Sequence, residues 1–327
     1  NTFLMTMFQE AIELQKQGDH AAAAKQLEEI LIHVPEHIQV LSTYAQSLAE
    51  LGDVAAAVKT LEKAIKCNPG FTEGWIRIGL IQQGGGNFEA AAEAYKQFST
   101  FNPSLAVGHL NFANACQLLN RFDEAETAYE RALAIEPDNP VAWSNLCRAS
   151  LHLGDWKKSE NAANRALTLA AGHTGVLALK SIALAELGKA SEVAELVDFD
   201  RLIEKSEFGA PETYADLASF NQALCEHCLS HSSLVFEPSD NTTMKGHQTG
   251  NLSLDEDTGP IGPLLEMIDK AVRNYQEAHP IDPSHPFLAH HPSQWQYDIW
   301  GTVLGSQGHQ ASHIHRSGWL SGCYYAS

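Results

Sequence analysis

The sequence predicts an α-helical solenoid of about six repeated helix pairs, followed by a smaller α+β domain. Two observations predict the solenoid. Four prolines recur every 34 residues, and a glycine or asparagine recurs at the same interval over six units. A third observation marks its end, because the period vanishes and the composition changes near residue 205. We therefore assign residues 1–204 to the solenoid and 205–327 to a second domain.

Each recurring position of the 34-residue unit has a physical role. A glycine or asparagine adopts the left-handed backbone conformation that closes one helix before the next begins. Small residues seven positions earlier and five positions later let the two helices approach closely. Proline lacks an N–H group and ends the second helix of each unit. The turn residues are Gly18, Gly52, Gly86, Asn120, Gly154 and Gly188, and the prolines are Pro35, Pro69, Pro103 and Pro137.

The unit resembles the tetratricopeptide repeat, most closely in EAETAYERALAIEPDNPVAW at 124–143. The resemblance covers about residues 4–204. The last two units depart from it, since Ala171 replaces the proline and Val193 and Asp200 replace small residues. A terminal repeat that departs from the consensus is expected where a solenoid ends.

This resemblance implies a curved solenoid whose concave face binds a protein or a peptide. The repeat projects four polar residues onto that face: Gln46, Asn114, Gln117 and Arg148. Asn114 and Arg148 are suited to hydrogen-bond a peptide backbone or a carboxylate. Solvated surface residues are the alternative interpretation. The two-lysine carboxylate clamp of chaperone-binding members is not reproduced.

Composition limits the remaining partners. The formal net charge is −19, which argues against nucleic acid and against an anionic membrane surface. The sequence has no apolar run of about 18 residues and no visible signal peptide, so we expect a cytoplasmic protein. The six cysteines are irregularly spaced, which predicts reduced thiols.

The second domain is rich in histidine and in turn-forming residues, with ten of the 16 histidines. Helices are predicted over about 211–231 and 263–279. The aromatic-rich stretches WQYDIWGTVL (295–304) and WLSGCYYA (319–326) predict strands.

The stretch 225–231 contains a CxxC motif followed by a histidine. Cys225, Cys228 and His231 lack a second ligand pair nearby, and the segment has an apolar helical face. We therefore expect packed helix thiols rather than a zinc site. His290 and His291 lie in a proline-flanked turn.

His313 and His315 form an HxH motif between the two strand-like stretches. In an extended segment, residues two apart point to the same face, so both imidazoles could bind one metal ion. Imidazole suits iron, zinc, copper and nickel, so the pair does not choose among them. Two surface histidines bonded to neighbouring serines are the alternative.

The segment HIHRSGWLSGCYY (313–325), with FNQALCEHCLSHSSLVFEP and TTMKGHQTGNL upstream, resembles a family of 2-oxoglutarate- and Fe(II)-dependent oxygenases. The resemblance covers about residues 211–327 and implies a double-stranded β-helix, or jelly roll. It also implies Fe(II) and 2-oxoglutarate as cofactors, with His313 as the first metal ligand. His315 would then stand where the superfamily has a carboxylate.

The expected catalytic half is missing from this sequence. The distal histidine and the basic residue that binds oxoglutarate would lie beyond Ser327, and the chain begins without Met. We expect a fragment of a longer protein, with an incomplete jelly roll that is inactive by itself. A tetratricopeptide scaffold with a non-catalytic C-terminal domain is the alternative. A cupin-type metal protein is a third, although RSGWLSG lacks the glutamate that cupins usually carry.

Overall fold

A computed structural model describes residues 2–238, 242–255, 257–289, 291–311 and 319–326. The chain divides into two compact units, Asn1–Ala170 and Ala171–Ser327. The first unit consists of α1 (Thr2–Lys16), α2 (His20–His33), α3 (Ile38–Glu50), α4 (Val54–Cys67), α5 (Glu73–Gly84), α6 (Phe88–Phe101), α7 (Ala106–Leu118), α8 (Phe122–Ile135), α9 (Pro140–His152) and α10 (Trp156–Leu169).

These helices form consecutive antiparallel pairs. The odd-numbered helix of each pair is called the first helix and the even-numbered one the second helix. Each first helix packs against its own second helix and against the second helix of the preceding pair. First helices of neighbouring pairs also contact each other, as α1 and α3 do. This stacking is the predicted solenoid.

The predicted turn and stop residues are confirmed. Gly18 and Gly52 have φ angles of 80° and 81°, and Asn120 takes the same left-handed region with φ 58°. Helices α2, α4, α6 and α8 each end two residues before the proline of their repeat. Several second helices begin with an aspartate cap: the Asp53 side chain accepts a hydrogen bond from the Ala56 amide at 3.0 Å.

The small residues are buried where the two helices of a pair meet. Ser159 on α10 donates from Oγ to the Cys147 carbonyl oxygen on α9 at 2.9 Å, which shows how closely these backbones approach. At Gly79 on α5, an added Cβ would overlap the ring of Tyr95 on α6, with only 2.8 Å to Cζ. The absence of a side chain at Gly79 therefore makes the space that Tyr95 fills.

The second unit is mixed α and β. Its helices are α11 (Thr174–Glu186), α12 (Ala190–Leu196), α13 (Phe199–Leu202), α14 (Leu217–Ser230) and α15 (Ile261–Ala278), and its strands are β1 (Val235–Phe236), β2 (Thr243–Gln248) and β3 (Thr302–Gln310). A 3₁₀-helix spans Leu252–Leu254. The pair α11 and α12 is the sixth of the 34-residue units, and its second helix has only seven residues, none of them buried.

The three strands form one antiparallel sheet in the order β1-β2-β3. His247 of β2 lies opposite Phe236 on one side and Val303 on the other. The register shifts between Met244 and Gly246, where Lys245 has a positive φ of 51°. These three are the strands of the described residues, which show a small sheet rather than the eight strands of a jelly roll.

The strand predicted over 319–326 was wrong. In the described part of this stretch the backbone is irregular. Tyr324 instead packs against α14, where its hydroxyl donates to Asn221 Oδ1 at 2.7 Å. Its ring joins the core of this unit, which is built around Phe220, Leu224, Leu252, Ile261 and Leu264. Burial against a helix therefore outweighs the strand preference of this aromatic stretch.

Candidate functional site

The four polar residues predicted on the inner face all lie on first helices. Gln46 is on α3, Asn114 and Gln117 are on α7, and Arg148 is on α9. Helices α7 and α9 are in contact. Asn114 and Arg148 are 34 residues apart and so occupy the same position in consecutive repeats. Gln46 occupies this position two repeats earlier and is exposed.

Asn114 is held by two hydrogen bonds to one atom. Its Oδ1 accepts from the hydroxyl of Tyr129 on α8 at 2.7 Å and from Nδ2 of Asn145 on α9 at 3.1 Å. Both acceptor positions of the carbonyl oxygen are thereby used. The amide nitrogen donates no hydrogen bond within the described residues, so Asn114 is positioned as a donor.

Tyr129 is the centre of this polar group. The side chain is fully buried, and burial raises the pKa of its hydroxyl well above the ordinary value. It therefore stays protonated and donates to Asn114. The positive charge of Arg148 partly opposes this rise in pKa. Asn114 is thus held by one buried tyrosine.

Gln117 follows Asn114 by one helical turn. Its Oε1 is buried and accepts no hydrogen bond from the residues that the structure describes. Residues three apart lie on the same side of a helix, so an amide donor and an amide acceptor stand next to each other along α7. A buried acceptor without a donor is unusual in a folded protein.

Sequence reasoning missed Tyr129 and Asn145. The signal for Tyr129 was present, because Tyr95 stands 34 residues earlier. Tyr95 is equally buried, and its hydroxyl donates to Oε1 of Gln83 on α5 at 3.1 Å. In two consecutive repeats a second-helix tyrosine therefore fixes an amide side chain on a first helix.

The predicted metal pair cannot be placed, because His313 and His315 lie outside the described residues. So does His290. His291 contacts the ring of Trp319, with centroids 5.3 Å apart. Cys225 and Cys228 are free thiols, and Cys228 packs against the core of the second unit. Burial and the neighbouring Cys225 raise the pKa of Cys228.

A different group of metal-ligand residues is present in the described part of the second unit. One ligand atom each of His227, His231 and Asp255 lies within 4.8 Å of the others. Only His231 of these three was considered at the level of sequence. No helix in the described part of the chain is both long enough and apolar enough to cross a membrane.

A family model of the tetratricopeptide repeat matches residues 14–76 and 119–183. No curated protein matches the chain. A solved structure of MamA is 17% identical with a TM-score of 0.43, covering 63% of this chain and 100% of that one. MamA from Desulfovibrio magneticus RS-1 is 17% identical with a TM-score of 0.46, covering 51% and 94%. The matched segments and the paired helices together show that the chain carries tetratricopeptide repeats arranged as an α-helical solenoid.

Proposed function

We propose that the chain is a protein-interaction scaffold whose repeat unit binds an extended peptide segment of a partner along its first helices. The observation that supports this most strongly is the polar group on α7 and α9 around Tyr129. Asn114 is fixed there by hydrogen bonds from Tyr129 and Asn145, so little conformational entropy is lost when it binds a ligand.

The chemistry of this group suits a peptide backbone. Asn114 offers an amide N–H, and Gln117 offers a carbonyl oxygen that lacks a donor in the described residues. The two residues are about 4.5 Å apart along the helix axis. An extended chain advances about 3.3 Å per residue and presents one N–H and one carbonyl at each. The spacing of the two side chains therefore matches neighbouring peptide groups, and Gln117 contacts one of them once its side chain rotates to expose the buried Oε1.

Arg148 adds a preference for a carboxylate. Guanidinium binds a carboxylate through two parallel hydrogen bonds, which are among the stronger polar contacts in proteins. We therefore expect a segment that carries a C-terminal carboxylate or an acidic side chain.

Selection from a displayed random-peptide library against the full chain tests this proposal, followed by fluorescence anisotropy with the selected peptides. Arg148→Ala is expected to weaken binding by about tenfold or more, because a hydrogen bond to a charged group contributes about 1.5–3 kcal/mol. Arg131→Ala is the matched control, since Arg131 is exposed on the second helix α8. Equal losses in the two variants, or selected peptides unaffected by Arg148→Ala, would contradict the proposal.

The oxygenase function expected from residues 313–325 stays a prediction. It depends on His313 and His315 and on Fe(II) and 2-oxoglutarate, and it rests on the resemblance alone. The scaffold function, in contrast, is supported both by the matched repeats and by the geometry of α7 and α9.

A further inference from the structure

We propose that His227, His231 and Asp255 form a binding site for a divalent transition-metal ion in the second unit. Two imidazole nitrogens and one carboxylate oxygen suit Zn²⁺ and the neighbouring first-row ions. Mg²⁺ and Ca²⁺ prefer sites made of oxygen ligands. The three ligand atoms lie within 4.8 Å of one another, a spacing that one ion can bridge after small side-chain movements.

The two histidines are positioned by helix α14. They are four residues apart, so their side chains lie on the same side of the helix. Their ring centroids are 5.6 Å apart and the rings are tilted by 46°. His231 is the residue that caps the C-terminal end of α14. The partial negative charge of a helix C-terminus favours a bound cation at this end.

Asp255 is positioned by the 3₁₀-helix Leu252–Leu254, which it follows directly. Leu252 is buried in the core, and its amide donates to the Ile299 carbonyl at 2.7 Å. Ser253 Oγ donates to the Tyr297 carbonyl at 2.6 Å. These contacts fix the short helix, so the carboxylate is presented at a defined place, with Oδ2 3.0 Å from Nε2 of His231.

A serine supports the far side of the His231 ring. Nδ1 of His231 lies 2.7 Å from Ser233 Oγ, which also accepts a hydrogen bond from the Gly250 amide at 2.8 Å. The Ser233 amide also donates to Nδ1 at 3.3 Å, so in the metal-free ring the proton lies on Nε2, which donates it to Asp255. When an ion binds Nε2 in place of that proton, the ring proton moves to Nδ1, which then donates to Ser233 Oγ. Metal-binding histidines are commonly oriented by such a hydrogen bond on the other ring nitrogen.

His227 is the residue that separates a metal site from a simple ion pair. His231 and Asp255 alone could form a salt bridge. That pair does not account for His227, whose buried Nε2 has no hydrogen-bond partner among the described residues. The position of His227 beside His231 and Asp255 is explained if all three side chains bind the same ion.

The test is Zn²⁺ binding by the full chain, stripped of metal and titrated in competition with a chromophoric chelator. His227→Ala and Asp255→Asn are each expected to weaken Zn²⁺ binding by about 100-fold or more, since even a residue supporting a metal ligand contributes 10- to 100-fold. Asp255→Asn keeps the shape of the side chain and a hydrogen bond to His231. Its loss of affinity therefore reports the missing charge and ligand, provided that circular dichroism shows an unchanged fold.

Three controls locate the site. His247→Ala removes an exposed histidine from β2 and is expected to leave affinity within about threefold. The same is expected of His313→Ala with His315→Ala, and of Cys225→Ser with Cys228→Ser. A Co²⁺ complex without a thiolate charge-transfer band in the near ultraviolet would support the proposed ligands. The proposal is overturned if the intact chain binds no Zn²⁺, if binding survives His227→Ala and Asp255→Asn, or if it is lost in either of the double variants.

Discussion

Replacing Gly79 by alanine is expected to destabilise the solenoid, although alanine is the better helix former. Gly79 is buried on α5 and faces the ring of Tyr95 on α6, whose atoms a new Cβ would overlap. The helix preference of alanine over glycine contributes about 1 kcal/mol in favour of the variant. Overpacking a filled core costs about 1–3 kcal/mol. Displacing Tyr95 would also weaken its hydrogen bond to Gln83, at about 1 kcal/mol.

The net expectation is a loss of roughly 1–3 kcal/mol in the free energy of unfolding. Gly84→Ala is the matched control, because Gly84 is in the same helix and a Cβ there meets nothing within 4 Å. It should raise stability by up to about 1 kcal/mol. Urea unfolding of the full chain, followed by far-ultraviolet circular dichroism, measures both midpoints. A Gly79→Ala variant as stable as Gly84→Ala would refute the packing argument.

Three further predictions concern other parts of the solenoid. Gln117→Leu should raise the free energy of unfolding by roughly 1 kcal/mol, because it removes a buried acceptor that has no donor. The same variant should bind a selected peptide more weakly. Unchanged affinity would show that Gln117 has no part in binding. Asn120→Ala should lower the free energy of unfolding by about 1–2 kcal/mol, and with it the urea midpoint, because Asn120 has φ 58° and alanine disfavours this left-handed conformation. Asn120→Gly should not lower it. Burial raises the pKa of Cys116 from 9.0 to about 11. The folded state disfavours the thiolate, so ionisation of Cys116 lowers the free energy of unfolding. This loss is absent below pH 9 and grows as the pH rises toward 11, to a total of roughly 2–3 kcal/mol. Unfolding midpoints of Cys116→Ala should fall less over this range than those of the unchanged chain.

The helix pairs could be predicted because their boundaries are set by local backbone chemistry. Gly18 and Gly52 take a conformation that other residues resist, and proline cannot continue a helix, so both leave a visible period. The hydrogen bond from Tyr129 to Asn114 could not be predicted in the same way. It joins side chains on two helices, and its geometry depends on how closely those helices pack.

The second unit shows the limit of pattern reasoning more clearly. The aromatic content of 319–326 predicted a strand, but Tyr324 packs against α14 and the core of the second unit instead. The spacing of His227 and His231 was visible in the sequence. Asp255 was not identified, because its approach to His231 depends on the packing of Leu252 and on hydrogen bonds to a distant segment.

The peptide-binding face is tested most directly by the affinity of a selected peptide for Asn114→Asp. Aspartate keeps the oxygen that accepts from Tyr129 and Asn145 and replaces the amide donor by an acceptor. Our account predicts an intact fold with at least about tenfold weaker binding, since a peptide carbonyl would lose its donor and face a negative charge. Unchanged affinity for this variant would show that the peptide does not bind at α7, and the proposed function of this face would be wrong.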